Sequence, residues 1–275
     1  MISHTKIGFI GIGAMGESIL AGVLKSGLVS NEHIAVVGKG DKRAQKISEL
    51  YSVQKYSSSL ELVKDYDVIC LSIKPKDLHN VSKDLKSADF KGKLIISTLA
   101  GVNCQTLCDA FPKSHVVRSI PNIASEICKS VTLWTQHESL PKNLTEFCYA
   151  FFSSVGQSIE VDSETYIDLA SPISGAAPAF TGLFIEAMVD AGVFIGLPRD
   201  LSTQLVLQSL IGSCELINNC NGNAQLIRQR VTSPGGLTAV CIAKLESAGF
   251  RTALMDAIVA GKEKTEKLSH VQVTN

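Results

Sequence analysis

Three glycines, Gly11, Gly13 and Gly16, stand in the G-x-G-x-x-G pattern between an apolar run, KIGFIGIG, and a helical one, AMGESILAGVLKSG. Gly11 permits a tight turn, Gly13 lets backbone approach a pyrophosphate, and Gly16 lets helix and strand pack closely. The free N–H groups at the start of the following helix favour an anion. This combination points to dinucleotide binding. A second stretch, SPGGLTAV from Ser233 to Val240, sets Pro234 and two glycines ahead of another apolar-periodic run. It starts a helix on any reading. Whether a ligand sits on that helix start is left open by these residues alone.

The residue types restrict the chemistry further. The six histidines are His4, His33, His79, His115, His137 and His270, so the C-terminal half has none before its tail. That argues against a Ser–His–Asp hydrolase, and against a hydroxyacid dehydrogenase assisted by a histidine there. The eight cysteines at 70, 104, 108, 128, 148, 214, 220 and 241 include no C-x-x-C pair. Cys104 and Cys108 are one helical turn apart, which does not make a zinc site. No metal is expected, and the thiols are expected to be reduced and mostly buried. Such a site must work by positioning and backbone dipoles. Hydride addition to an already protonated imine has that requirement, because the nitrogen keeps its proton; reduction of a carbonyl needs a general acid.

The elements that must carry these residues alternate in the first half. KIGFIGIG, HIAVVGKG, YDVICLSIK, KLIISTLAG and SHVVRSIPN are short apolar runs rich in β-branched residues, separated by helical segments. They predict a parallel, doubly wound sheet. LTEFCYAFFSSVGQSIEVD adds a helix and a strand. After about residue 163 no strand-like alternation appears. Four long helical patterns follow, beginning SETYIDLASPISGAAPAF, PRDLSTQLVLQ, AQLIRQRV and LTAVCIAKLESAGF. The expected organisation is an α/β domain over residues 1–162 and an all-helical domain over residues 163–275. The helical faces are apolar enough to predict burial against a second subunit, in a homodimer.

Cofactor choice should be set where the second strand ends. An NAD site wants an acid there; this chain has Gly38 and Lys39, with Lys42 and Arg43 beyond. Lys39 and Arg43 would attract a 2′-phosphate, so NADPH is favoured, while Asp41 keeps NADH open. Lys74-Pro75, Ala100-Gly101 and Pro121-Asn122 follow further strands, where loops line the ligand crevice of an open α/β sheet.

Composition excludes other classes. The 275 residues carry 26 basic and 26 acidic side chains, so no basic excess points to nucleic acid. The uninterrupted apolar runs are too short to span a bilayer, and the start lacks the marks of a signal peptide. A cytoplasmic protein without nucleic-acid or membrane partners is expected.

Together, KIGFIGIGAMGESILAGVLKSG, SIKP, STLAGV, RSIPN, ISGAAPAFTGLFIEAMVDAGVFIGLPR and VTSPGGLTAVCIAKLESAGFR resemble the pyrroline-5-carboxylate reductases, over about residues 6–268. The resemblance implies an N-terminal Rossmann-like domain binding NADP(H) and a C-terminal helical dimerisation domain. It further implies dimers that assemble as far as decamers, and a cytoplasmic oxidoreductase acting on a C–N bond. The implied reaction is reduction of 1-pyrroline-5-carboxylate to L-proline, the last step of proline synthesis.

Residue by residue, the family's dinucleotide contacts fall on Ile10, Gly11, Ile12, Gly13, Ala14, Met15, Ser72, Ile73, Lys74, Pro75, Leu99, Ala100 and Gly101. Gly38, Lys39 and Ser59 lie toward the adenosine end, and Asn122 joins the cofactor set. Substrate contacts fall on Ser233, Gly235, Gly236, Leu237 and Thr238, with Glu164 as an acidic contact and Thr238 as the catalytic side chain. Backbone N–H groups at a helix start suit the substrate carboxylate, and the Thr238 hydroxyl adds a hydrogen bond. The chain departs from the family pattern at Ala176, Ala177 and Phe180, at Leu237, at Asn221 and at Ala124. These departures keep two alternatives: reduction of another cyclic imino acid, or a non-catalytic paralogue that binds NADP as a sensor or partner protein.

Overall fold

The computed structural model describes residues 2–271. Strand β1 (Ile7–Ile10) leads through the glycine turn into helix α1 (Ala14–Ser26), which ends on Gly27 in the left-handed conformation. The alternation continues with β2 (Ile34–Val37), α2 (Asp41–Tyr51), β3 (Gln54–Lys55), α3 (Ser59–Asp65), β4 (Val68–Leu71) and α4 (Leu78–Asp84). It closes with β5 (Leu94–Ser97), α5 (Cys104–Ala110), β6 (His115–Ile120), β7 (Ser130–Gln136), α6 (Lys142–Ser154) and β8 (Gly156–Glu160).

The eight strands form one sheet in the order β3-β2-β1-β4-β5-β6-β7-β8. Strands β1, β2, β4 and β5 are buried along their whole length, as parallel strands covered by helices on both faces must be. One face packs Phe9, Ile19, Leu20, Phe151 and Trp134; the other packs Leu62, Leu71, Phe90 and Leu107. The expected α/β class holds, with two differences. β7 pairs antiparallel with β6. β3 is only two residues long, too short to show a periodic pattern.

No strand follows β8 among the described residues. Helices α7 (Glu164–Ala170), α8 (Ala177–Phe194), α9 (Arg199–Asn219), α10 (Ala224–Arg230), α11 (Leu237–Ser247) and α12 (Phe250–Val271) make up the helical part. Two long helical patterns are broken. A π-helical turn at Ser171–Gly175 separates α7 from α8, and Gly249, at φ +77°, separates α11 from α12. The described residues fall into two compact units: those up to Pro178 together with those from Gly261 onward, and Ala179–Ala260. α7 belongs with the sheet because Arg118 of β6 binds two of its carboxylates. The last turns of α12 belong there because Gly261 lies so close to Pro172 that a Cβ would come within 2.6 Å.

In the second unit, Gly192 of α8 lies against Ser202 of α9, whose hydroxyl donates to the Val189 carbonyl at 3.0 Å. Large apolar side chains stand open on it, with Phe194 92% and Ile195 78% exposed. The helical segment Glu164–Phe194, 31 residues, is long and apolar enough to cross a membrane by length and composition. Counting only uninterrupted apolar runs misses it, because Ser, Gly and Pro interrupt a segment whose average is still apolar.

Candidate functional site

The sheet order reverses between β1 and β4, and the chain leaves each of these strands through a glycine- or serine-bearing loop. Gly11 adopts φ +90°, and its N–H donates to the Val37 carbonyl at 2.9 Å. A Cβ on Gly16 would lie 2.5 Å from the Gly11 carbonyl oxygen, so only glycine allows α1 this close to the turn. A Cβ on Gly13 would meet nothing within 4 Å. Gly13 caps α1 without any side-chain hydrogen bond, which leaves the first N–H groups of α1 without a side-chain acceptor at the cap. That combination, a tight turn, free donors and room beside them, fits a pyrophosphate.

A cavity of about 550 Å³ continues from this turn, lined by Gly11, Gly38, Lys39, Ser59, Ile73 and Asp77 among others. It brings together the residues predicted for the adenosine end. The Lys39 ammonium reaches Asp77 at 3.3 Å, so the cation available to a 2′-phosphate is shared with a carboxylate. Arg43 does not stand free beside it. Its Nε donates to the Ile12 carbonyl at 2.6 Å and its Nη2 to Glu17 at 2.8 Å, which ties α2 to the glycine turn.

The remaining predicted cofactor residues leave β4 and β5. Ser72 N–H donates to the Ile10 carbonyl at 2.9 Å. The Thr98 hydroxyl donates to Ser72 Oγ at 3.3 Å, stitching the loop Ser72–Pro75 to the loop Leu99–Gly101. Pro75 opens a short helical turn closed by the Asp77 N–H on the Lys74 carbonyl at 2.9 Å. Gly101 takes φ +70°, turning the second loop toward α5. Ile10 to Met15, Ser72 to Pro75 and Leu99 to Gly101 thus gather at the carboxyl ends of neighbouring strands.

Two predicted residues, Asn122 and Glu164, have partners within the protein. Asn122 is buried, its Oδ1 accepting from the Ala124 N–H at 2.9 Å and its Nδ2 donating to the Ser174 carbonyl at 3.0 Å. Its amide holds the loop after β6. Glu164 opens α7, and its Oε2 accepts from the Cys104 N–H at 2.9 Å and from Arg118 Nη1 at 3.3 Å. Arg118 was not among the predicted residues. Its signal was available: one charged letter inside the apolar run HVVRSI.

Of the predicted substrate residues, Ser233, Gly235, Gly236, Leu237 and Thr238 lie together in the second unit, and Glu164 lies in the first. Gly236 N–H donates to the Ser233 carbonyl at 3.1 Å, closing a turn with Pro234 and Gly235 at its centre. Gly235 has φ +69°, as the third position of a type II turn requires. Gly236 then caps α11 with no side-chain acceptor, so the N–H groups of Leu237 and Thr238 start the helix unpaired by a cap. Leu237 is 81% exposed, and its part in this donor set is its backbone N–H, which any residue there except proline would supply. Asn221, a departure from the family pattern, sits in a turn after α9 at φ +52°, a conformation that asparagine tolerates better than most residues.

Burial pushes the Cys70, Cys104 and Cys148 thiols up to about 12, so none of the three is a thiolate at neutral pH. These three fill core space, but the thiols are not mostly buried as expected: Cys108, Cys128 and Cys220 are half-buried and Cys214 and Cys241 are exposed.

Comparison with known proteins places these features. Residues 164–268 match the sequence model described as pyrroline-5-carboxylate reductase dimerisation. Residues 6–101 match that of NADP oxidoreductase, coenzyme F420-dependent. The chain is 33% identical to the pyrroline-5-carboxylate reductase of Synechocystis sp., covering 96% of this chain and 98% of that one. It is 31% identical to that of Arabidopsis thaliana, over 96% and 95%. The crystal structure of Plasmodium falciparum pyrroline carboxylate reductase with NADP bound superposes with a TM-score of 0.90 at 29% identity, covering 98% of this chain and 100% of that one. With the glycine turn, the serine-proline-glycine turn and both halves matched in unbroken order, the chain belongs to the pyrroline-5-carboxylate reductase family.

Proposed function

We propose that this protein reduces 1-pyrroline-5-carboxylate to L-proline with NADPH, with NADH as the weaker donor. The observation that carries this reading is the pair of unspent donor sets: one at the start of α1 beside an open cavity, the other at the start of α11. When bound, the reduced nicotinamide supplies hydride to the imine carbon, and the C=N pair becomes the nitrogen lone pair. The chain's own part is to bind and orient. The α1 turn holds the pyrophosphate, Gly38, Lys39 and Ser59 receive the adenosine end, and the loops Ser72–Pro75 and Leu99–Gly101 flank the remainder. The turn Ser233–Gly236 presents the Leu237 and Thr238 N–H groups to the carboxylate, with the Thr238 hydroxyl as a further donor. Because the imine arrives protonated, no side chain has to act as general acid, consistent with a helical part lacking histidine before residue 270. Rate comes from proximity and orientation.

The domain division at residues 162 and 163 belongs to the same reading, the first part for NADP(H) and the second for dimerisation and substrate. The apolar side chains open on α8, α9 and α11 are those a second copy would cover, giving a homodimer that assembles further to a decamer. Eight free cysteines suit the reducing cytoplasm.

Purified protein mixed with NADPH and pyrroline-5-carboxylate should consume NADPH absorbance and yield proline. Bound NADPH with no turnover at millimolar imino acid would instead favour a sensor protein. Ala176 and Phe180 stand where the family has serine and tyrosine, so two hydroxyls are lost, and Ala177 adds a methyl group in place of glycine; the assay should therefore include the imino acid with a ring one carbon larger. Faster turnover of that substrate would reassign the specificity.

Lys39→Met tests the cofactor preference. It should reduce the ratio of NADPH to NADH affinity by about tenfold, the size of one lost charge-assisted contact to phosphate. Fluorescence titration of both cofactors measures it, and an unchanged ratio would show that the 2′-phosphate is recognised elsewhere.

A further inference from the structure

Arg118 sits in the middle of the sheet on β6 and is only 2% exposed. Its Nη1 donates to Glu164 Oε2 and to Asp168 Oδ2, each at 3.3 Å, and its Nη2 to Asp168 Oδ1. Its Nε has no partner. A buried ion group of this kind contributes little net stability, since desolvation offsets much of the attraction, and apolar side chains of similar volume often serve as well. What it fixes is geometry.

The geometry concerns the cofactor loop. Arg118 lies across from Ser97, the last residue of β5, in the parallel register. Two residues later begins Leu99–Gly101, and that loop ends at α5, whose Cys104 N–H donates to the same Glu164 oxygen that Arg118 holds. One end of the loop is therefore set by the β5–β6 register, and the other by Arg118 acting through Glu164. Glu164 Oε2 receives both donors, so its position depends on the guanidinium. With the pyrophosphate on α1 and the adenosine end over β2, the other half of a dinucleotide extends over β4 and β5, where this loop lies.

We propose that Arg118 is a positioning residue for the cofactor: by clamping Glu164 onto the Cys104 N–H it holds the Leu99–Gly101 loop in the place that contacts the nicotinamide half. The guanidinium fork matters, because it spans the Glu164 and Asp168 carboxylates together, which a lysine ammonium cannot do in the same geometry. The inference rests on the reading of this cavity and loop as the NADPH site, but not on the identity of the imino acid.

The test compares two probes: NADPH, and adenosine 2′,5′-bisphosphate, which carries the adenosine end without the nicotinamide. Arg118→Met should raise the Kd for NADPH by about tenfold, as for one lost oriented hydrogen bond, while the Kd for the bisphosphate stays within about twofold. Arg118→Lys should recover part of the difference. If the methionine variant does not fold, Glu164→Ala, at a side chain 38% exposed, removes the same anchor and should give the same selective loss. Equal weakening of both probes would mean that Arg118 serves only the fold, and no weakening of either would mean that the loop needs no clamp. Both results overturn the proposal. Wild-type protein that binds NADPH yet leaves pyrroline-5-carboxylate unreduced would remove the proposed reaction and leave this result standing, since the titrations contain no imino acid.

Discussion

A Gly13→Ala variant is expected to fold like the parent protein and to bind NADPH on the order of 100-fold more weakly. The expectation follows from what surrounds that one Cα. A Cβ there meets nothing within 4 Å, so the fold has no objection to it. The backbone is extended at φ −72°, where alanine carries no strain. The free space is the space assigned to the pyrophosphate, and a methyl group in it would hold the anion away from the α1 N–H groups. Contacts to a charged group are worth about 1.5–3 kcal/mol each, so displacing the anion from even one or two accounts for the loss.

Gly11→Ala makes the contrast. Its φ of +90° is costly for any L side chain, and its Cβ would sit 2.7 Å from the Ser72 carbonyl oxygen. That variant should lose thermal stability as well as NADPH. Melting curves alongside fluorescence titrations separate the two cases. If Gly13→Ala binds NADPH as the parent does, the anion does not rest on this turn.

The second large effect is expected at Thr238. Replacing it by alanine should raise KM for the imino acid about tenfold or more, as for one hydrogen bond to a carboxylate, with the Kd for NADPH within about twofold. The N–H groups of Leu237 and Thr238 survive the change, so binding is weakened and not abolished. The turn ahead of the helix is closed by Ser233 and Gly236 and does not involve the threonine side chain, so α11 should start where it does now. Steady-state kinetics with each substrate varied in turn gives the answer. Equal loss of affinity for imino acid and cofactor would place the substrate carboxylate away from this helix start.

Much of this arrangement was legible in the sequence because it depends on local rules. The glycine spacing at 11, 13 and 16 encodes a turn whose conformation only glycine adopts at low cost, and the structure forms that turn between β1 and α1. Pro234 and Gly235 encode the next turn for the same reason. Short apolar runs encode buried parallel strands. The antiparallel β7 was not read, because its residues SVTLWTQ alternate weakly and its pairing partner is set by the distant β6. The single helical patterns across residues 164–194 and 237–268 concealed breaks, since helical periodicity continues through a π turn and past Gly249.

The sequence alone determined the turns, the strand-and-helix alternation and the set of residues that could meet a dinucleotide. Tertiary structure decided which of those polar groups also bind partners within the protein. Asn122, Arg43 and Glu164 carry the right chemistry for ligand contact in a linear reading, yet each is held by partners 31 to 60 residues away: Asn122 by Ser174, Arg43 by Ile12, Glu164 by Cys104 and Arg118. A hydrogen bond between segments so far apart leaves no local pattern in either one. What a side chain could bind is written in its type; whether it is still free to do so depends on what the fold has brought beside it.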